Sequence, residues 1–341
     1  MPATDRLVLA LRSEALVLPD AGKIAVLRAT LSEFVVSMDP GRIVCEQGFR
    51  PVHDDLAARG VPVSSHVEGP AAAVVVNLTR SRAENLGNVG RGLAMLEPGG
   101  ILVVDGAKTE GVDSLARQVG KAIPLDGQFP KAHGRTFWLT RPEVLPPEIA
   151  EWAAGGESAK NAAGFVTGPG MFSPEHPDPG SVRLGEALGG HLKGRVADLG
   201  AGWGWLAQEA LRRCPAITAI DLYESEASAL DAARINVVDA RASFHWADVT
   251  RLGRESGPYD AVISNPPFHQ GRAAEPELGV AFIAAAARIL KPGGRLLMVA
   301  NRQLPYEAAL TARFRQWERL HEDGFYKVVM AQGPKRDGAA R

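Results

Sequence analysis

Cysteine is almost missing from this 341-residue chain: only Cys45 and Cys214 occur. Neither has metal-type spacing around it, so a disulfide framework, a structural zinc or any other metal site is not expected, and both read as buried packing residues. No apolar run approaches the length needed to span a membrane. The amino terminus, MPATDRLVLALRSEALVLP, lacks the basic flank, unbroken apolar core and cleavage site of a secretory signal, because Arg12, Ser13 and Glu14 interrupt it. A cytoplasmic chain is the reading. Positive charge is also not in excess. The formal net charge is -1, whereas proteins that hold phosphate backbones usually carry an obvious surplus. Any contact with RNA must use a local patch, and basic residues cluster at Arg212–Arg213, Arg251–Arg254, Arg313–Arg315 and the tail Lys335–Arg336.

What is present is enough chain for two domains, each with a core of its own. Hydrophobic residues at 45% and charged residues at 23% give the balance of a globular protein. The middle segment, TRPEVLPPEIAEWAAGGESAKNAAGFVTGPGMFSPEHPDPG, is rich in Pro, Gly and small residues without a sustained apolar period, which marks a linker. The expected division is a first domain over 1–145, a linker over 146–170, in which Trp152 is packing, and a second domain over 171–341. After the linker, short apolar runs alternate with helical stretches: RVADLG, ITAIDLYE, SFHWADV, YDAVISN and RLLMVAN. That rhythm predicts an α/β domain with a mostly parallel sheet covered on both faces. The closing RQWERLHEDGFYKVVMAQ reads as a helix and then two short strands, a terminal antiparallel hairpin.

The first half carries a fainter copy of the same rhythm. GRIVCEQ, AAAVVVNL, GLAMLEPGGILVVDG and RTFWLTRP stand beside RVADLG, YDAVISN, RILKPGGRLLMVAN and FYKVVMAQ, and the EPGG/KPGG pair is the clearest echo. An internal duplication is implied, with a degenerate first copy that offers only Gly48 where the second has a glycine-rich turn. Two unrelated domains sharing a Pro-Gly-Gly turn is the competing explanation.

That turn lies in Val196-Ala-Asp-Leu-Gly-Ala-Gly-Trp-Gly-Trp205, where strand, tight turn and helix start succeed one another. Its glycines, Gly200, Gly202 and Gly204, let backbone approach a ligand and present amides at a helix amino terminus, with Ala201 between them. Asp198 precedes the turn, and the next strand ends in Glu224, the preferred ribose ligand over Asp221. Asp248, ending SFHWADV, is placed to receive an adenine amino group or to cap the following turn, and both readings stand.

Beyond YDAVIS comes Asn265-Pro266-Pro267-Phe268. A planar amino group conjugated to a ring is a poor nucleophile because its lone pair is delocalised. Two acceptors, the Asn265 side-chain oxygen and the Pro266 carbonyl, would hold the two amino hydrogens and turn the lone pair toward an electrophile, while Pro267 stiffens the loop and Phe268 stacks on the ring. His269 and Gln270 follow as further candidates, as do Asn301, Arg302 and Tyr306 after the next strand.

DLGAGWG, LYESEASALDAARIN, SNPPFHQG, LKPGGRLLMVANRQLPYE and the lead-in GMFSPEHPDPGS together resemble the ribosomal RNA small subunit methyltransferase C family. The likeness is strong over about the last 170 residues, and the degenerate first half fits that family's two-domain layout. The resemblance implies two tandem class I methyltransferase-like (Rossmann-like) domains. It also implies S-adenosylmethionine as cofactor and the exocyclic N2 of a ribosomal RNA guanine as acceptor, most naturally in the 16S RNA of the small subunit. It carries the cofactor role onto Asp198, Gly200, Gly202, Glu224 and Asp248, with Phe172 and Ser173 closing over the ligand, and the target-amine role onto Asn265, Pro266, Pro267 and Phe268. The bulky Trp203 and Trp205 in the turn, and the absence of overall basic charge, depart from expectation. Adenine N6 or a glutamine side-chain amide are alternative acceptors for the same motif. A non-catalytic RNA-binding assembly protein is a different class, and a nicotinamide oxidoreductase would leave the two prolines unexplained. A monomer is expected.

Overall fold

A computed structural model describes residues 5–267 and 276–335. Phe268, His269, Gln270 and Arg336 lie outside the described residues. The chain divides into two compact units, one of residues 1–158 with 168–170, the other of 159–167 with 171–341.

In the first unit the chain runs α1 (Arg6–Arg12), β1 (Ile24–Leu27), α2 (Glu33–Ser37), β2 (Ile43–Glu46), α3 (Arg50–Ala58), β3 (Val63–Ser64), β4 (Ala71–Asn77), α4 (Arg82–Met95), β5 (Leu96–Ala107), α5 (Val112–Ala122), β6 (Gly127–Lys131), β7 (Gly134–Thr140) and α6 (Pro147–Gly155). The second unit begins with a two-stranded hairpin, β8 (Ala159–Lys160) and β9 (Val166–Thr167). It continues as α7 (Pro179–Ala187), β10 (Gly194–Leu199), α8 (Trp205–Arg213), β11 (Ile217–Glu224), α9 (Ala227–Asn236), β12 (Ala242–Trp246), β13 (Tyr259–Ser264), α10 (Pro276–Ile289), β14 (Leu290–Asn301), α11 (Glu307–Arg313), β15 (Phe314–Glu322) and β16 (Tyr326–Pro334).

The two sheets have the same order, β3-β2-β1-β4-β5-β7-β6 and β12-β11-β10-β13-β14-β16-β15. In both, the first five positions are parallel and the last two are joined antiparallel. Alternation along each strand splits its side chains between two faces, as buried parallel strands require. In the second unit Ala197, Leu199 and Val262 pack with Phe282 and Ile283 of α10 on one face. Val196, Leu222 and Ile263 pack with Leu184, Leu206 and Ala207 of α7 and α8 on the other. Each fully buried Leu or Ile contributes on the order of 1.5–3 kcal/mol relative to exposure.

Shared topology corrects the sequence pairing of the two copies. Ile24 of β1 lies opposite Ala73 of β4 just as Val196 of β10 lies opposite Ala261 of β13. The counterpart of RVADLG is therefore KIAVL, and GRIVCEQ is the counterpart of ITAIDLYE, one strand further on. Gly48 is not the remnant of the glycine turn. That place belongs to Arg28-Ala29-Thr30, where the Ala29 amide donates to the Glu46 carbonyl (2.9 Å) as the Ala201 amide donates to the Tyr223 carbonyl (3.0 Å). Arg28 keeps the positive φ of 54° that Gly200 has at 74°. Its guanidinium, however, is clasped by Glu84 at 2.5 Å.

Two further expectations change. RQWERLHE is not a helix: it forms the edge strand β15, paired along its length with β16. The segment expected as a linker is structured. Its first part forms α6, whose backbone comes so close to α4 that a Cβ on Gly90 would lie 2.5 Å from the Ala153 nitrogen and one on Gly87 2.4 Å from the Gly156 Cα. Its second part is the β8–β9 hairpin, tied to α9 by Asn236, which donates to the Val166 carbonyl and accepts from the Val166 amide. Gly90→Ala is expected to destabilise the protein. Overpacking against backbone costs about 1–3 kcal/mol and outweighs the roughly 1 kcal/mol that helix propensity returns. A lowered urea midpoint for the first unfolding transition is the measurement.

Candidate active site

Because β10 and its neighbours β11 and β13 run parallel, their carboxyl ends bring three segments to one edge: the turn after Leu199, Glu224, and the loop after Ser264. Gly200 and Ala201 both donate backbone N–H to the Tyr223 carbonyl, and the Ser264 hydroxyl donates to the Leu199 carbonyl at 2.7 Å. The turn is thus pinned on both sides.

Its glycines serve separate needs. Gly204 (φ 91°) starts α8 and could bear no Cβ, which would meet Val237 at 2.7 Å. Gly202 (φ 54°) has open space where a Cβ would stand, so backbone is exposed to whatever occupies the cleft. Trp203 does not obstruct it. The ring is buried with Met171, Ala229 and Ala232, packs on Phe165 at 5.1 Å, and donates from Nε1 to the Phe172 carbonyl at 2.9 Å. That bond holds the exposed Phe172 at the rim. Phe172, Ser173, Asp178, Ser181, Gly202 and Asn265 are among the residues lining one cleft, with Trp205 in its wall.

Glu224 is nearly buried and accepts from the Gly202 amide at 2.8 Å through one oxygen and from the Glu226 amide at 2.8 Å through the other. Asp221 sits on the opposite face of the sheet. Its carboxylate accepts from Arg195, Tyr259 and His245 at 2.8–3.0 Å. Burial works against its charge, yet the His245 and Tyr259 hydrogen bonds and Arg195 hold its pKa below the usual range. Of the two acids, Glu224 is the one at the turn.

Asp198 does not line the cleft. It is fully buried, and neither of its oxygens has a hydrogen-bond partner among the described residues. Complete burial, reinforced by the nearby Glu224 charge, pushes its pKa up to about 8. Asp248 caps the turn that follows it, accepting from the Thr250 amide at 2.9 Å and hydroxyl at 2.6 Å. Of its two readings, the cap is what the geometry contains. Tyr306 is buried and lies where a Cβ on Gly279 would stand, so it packs under α10 instead of facing a substrate.

The loop after β13 holds a feature not foreseen in the sequence. Asn265 Nδ2 donates to Asp178 Oδ2 at 2.9 Å and to Ser181 Oγ at 2.8 Å. An ionised carboxylate can only accept, so this pair fixes which end of the amide faces which way. Asn265 Oδ1 is left buried without a partner among the described residues, a state that ordinarily costs about 1–3 kcal/mol. Asp178 is itself held because it caps α7, accepting from the Ser181 amide at 2.9 Å, with Pro179 at the first helical position. The DPGS run in the lead-in carried a readable capping signal, but nothing in the sequence tied it to Asn265.

The comparisons agree with this geometry. Residues 162–330 match the methyltransferase small domain family. Ribosomal RNA small subunit methyltransferase C of Klebsiella pneumoniae is 33% identical over 242 residues, covering 69% of this chain and 68% of the relative. The protein of that name from Escherichia coli K12 is 32% identical over 241 residues, covering 70% and 69%. This chain belongs to the ribosomal RNA small subunit methyltransferase C family. Among solved structures, a T. thermophilus 16S rRNA N2 G1207 methyltransferase in complex with AdoMet and guanosine matches with a TM-score of 0.77 at 23% identity, covering 98% of this chain and 92% of that one. The tandem two-unit fold is therefore shared with that structure. Dependence on S-adenosylmethionine fits the cleft: an open Gly202 backbone, a carboxylate in Glu224 and an unpartnered acceptor on Asn265 adjoin one another. Among the described residues there is no cluster that could hold a metal and no helix long and apolar enough to cross a membrane.

Two predictions follow from the buried acids. Between the unfolded value near 3.8 and the folded value of about 8, the folded state keeps the Asp198 proton that the unfolded chain releases. Stability of the ligand-free protein should fall as pH rises from about 4 to about 8 and level off above. Asp198→Asn should remove that slope in urea titrations repeated across this range. Asp178→Ala frees the Asn265 amide to rotate and removes a helix cap worth about 1 kcal/mol. It should lower kcat at least tenfold with cofactor affinity nearly intact, measured by single-turnover methylation beside cofactor titration.

Proposed function

We propose that the chain transfers a methyl group from S-adenosylmethionine to the exocyclic N2 amine of a guanine in the 16S ribosomal RNA of the small subunit. The observation that carries this reading is the locked Asn265 amide, whose buried oxygen, at the rim of the glycine turn, lacks a partner among the described residues. A guanine amino group supplies the missing donor.

The cofactor, when bound, presents a methyl group on a sulfonium, already activated for displacement. The chain supplies orientation and exclusion of water. Asn265 Oδ1 accepts one amino hydrogen and the Pro266 carbonyl the other, so the nitrogen lone pair leaves conjugation and faces the methyl carbon. Phe268 stacks on the base. Gly200, Ala201 and Gly202 would let the cofactor approach backbone, Glu224 would receive its ribose hydroxyls, and Phe172 would cover it. The amine nitrogen gains a positive charge as the bond forms and loses a proton after transfer, so no strong base is needed beside it. Asp198, protonated at neutral pH, acts from beneath the turn as a neutral prop. Asp248 serves the adenine only through the backbone it caps.

Catalysis is assigned to the second unit, residues 171–341. In the first unit Arg28, clasped by Glu84, stands at the position of Gly200, which supports a structural or RNA-recruiting role. Partner and place of action follow from the substrate: ribosomal RNA or the small subunit, in the cytoplasm, with the enzyme acting as a monomer.

The test is transfer of labelled methyl to small subunits and their RNA from a strain lacking the gene, followed by nucleoside mass spectrometry. N2-methylguanosine is the expected product. Methyladenosine, or label in protein, would move the acceptor to adenine N6 or a glutamine amide, and no label at all would sink the reading. Asn265→Ala should reduce kcat by about 10²–10³-fold, the scale for losing one preorganised polar contact to the reacting group, while cofactor affinity changes little. Equal loss of both would refute the role given to Asn265.

A further inference from the structure

Among the described residues, two of the large hydrophobic side chains that stand exposed are aromatic, Phe172 and Phe325. Phe172 belongs to the rim of the cofactor cleft. Phe325 is 78% exposed in the turn between β15 and β16, and nothing in the site described so far uses it. A scattered exposed side chain needs no explanation, but this one is held in place. The Phe325 and Tyr326 amides both donate to Asp323 Oδ1 at 2.8 Å, and the Phe325 carbonyl accepts from the Arg302 amide at 2.8 Å. The Tyr326 and Phe325 amides hold the Asp323 pKa down to about 2, so the clasp stays closed through the neutral range. Arg183 of α7 closes on the same carboxylate at 3.2 Å. With both backbone groups of Phe325 engaged, the ring is presented from a fixed turn.

Register places that turn beside Asn265. Ser264, the last residue of β13, lies opposite Met298, so Asn265 is level with Val299. The β14–β16 ladder continues beyond this level to Asn301 opposite Tyr326, and so extends past the end of β13 as a wall. Three strand residues at ~3.3 Å and two strand spacings at ~4.8 Å put Phe325 about 14 Å from Asn265. The wall is continuous with the locked amide: a Cβ on Gly180 would meet the Tyr326 ring at 3.0 Å, and Gly180 lies just after the Asp178 that holds Asn265. Arg302, bonded through its backbone to Phe325, is exposed and adds a cation to the same wall. An aromatic face with a cation beside it is what a nucleic-acid single strand binds without regard to sequence, a base on the ring and a phosphate on the guanidinium. Stacking needs no surplus of positive charge, which suits a chain of net charge -1. The separation from Asn265 equals roughly four strand steps at ~3.4 Å, so a base on Phe325 is not the one being methylated.

We propose that Phe325, flanked by Arg302, is a stacking platform for a base of the ribosomal RNA strand within about four nucleotides of the target guanine. This rests on the ribosomal RNA reading above. The experiment measures methylation of small-subunit RNA from a strain lacking the gene, over a range of RNA and salt concentrations, with cofactor affinity and Tm measured alongside. Phe325→Ala should raise KM for RNA about tenfold, the scale of one lost base stack, and leave the dependence of affinity on salt as it was. Phe325→Leu, equally apolar but unable to stack, should behave like the alanine variant, whereas Phe325→Trp should retain the wild-type KM. Arg302→Ala should raise KM less and reduce the slope of log affinity against log salt by about one. Val238→Ala, at an exposed apolar position in another part of the same unit, should behave as wild type. Unchanged KM in Phe325→Ala would overturn the proposal, as would a leucine variant equal to wild type. So would a loss of cofactor affinity or a fall in Tm parallel to the change in KM, since Phe325 would then be a packing residue. If wild type methylates no ribosomal RNA, the functional reading fails first and this proposal with it; a wild type that methylates RNA confines any failure to the platform.

Discussion

Everything at the site depends on the parallel pairing of β10 between β11 and β13. With Leu199 opposite Tyr223 on one side and Ser264 on the other, the next residue of each strand, Gly200, Glu224 and Asn265, must emerge at the same edge. A slip of one residue would exchange the faces, sending Asp198 out of its dry position and Asn265 away from Asp178. Register here is enforced by burial, because Val196 and Ala197 are wholly enclosed on opposite faces. The cleft is in this sense a by-product of packing: it exists where strands end.

The elements with strong local signals were legible in the sequence. The glycine turn could be read because three positive-φ positions have few other solutions, and the strand-helix alternation because parallel strands need continuous apolar runs. Signals that depend on distant partners were not. The helix α6 lacks an apolar stripe because it approaches α4 through Gly87 and Gly90, backbone to backbone, so small residues do the work that leucines do elsewhere. The helix-forming residues of RQWERLHE lose to the ladder offered by β16, a case where tertiary pairing overrides propensity. The pairing of Asp178 with Asn265 crosses 87 positions, and no spacing rule reaches that far. Phe268, expected to stack on the base, lies outside the described residues.

The two units show what happens to one topology when only one copy keeps an open turn. Ala29 and Ala201 make the same backbone bond, and Arg28 and Gly200 share a left-handed conformation. The difference is a side chain. A glycine leaves a hollow, while an arginine brings a charge that must find Glu84, and the pair closes the turn with its own atoms. Strand order is retained in the first unit because two complete apolar faces still require it, independent of any ligand.

The antiparallel hairpin at the end of each sheet has an effect beyond completing it. In the second unit it puts β15 at the rim, where Arg315, Glu318, Arg319 and Glu322 stand exposed along a nine-residue strand. An open rim is an invitation to another chain, and alternating charges of both signs make that invitation hard to accept. Such a border resists the addition of a further strand, so the sheet can end in the open without a cap.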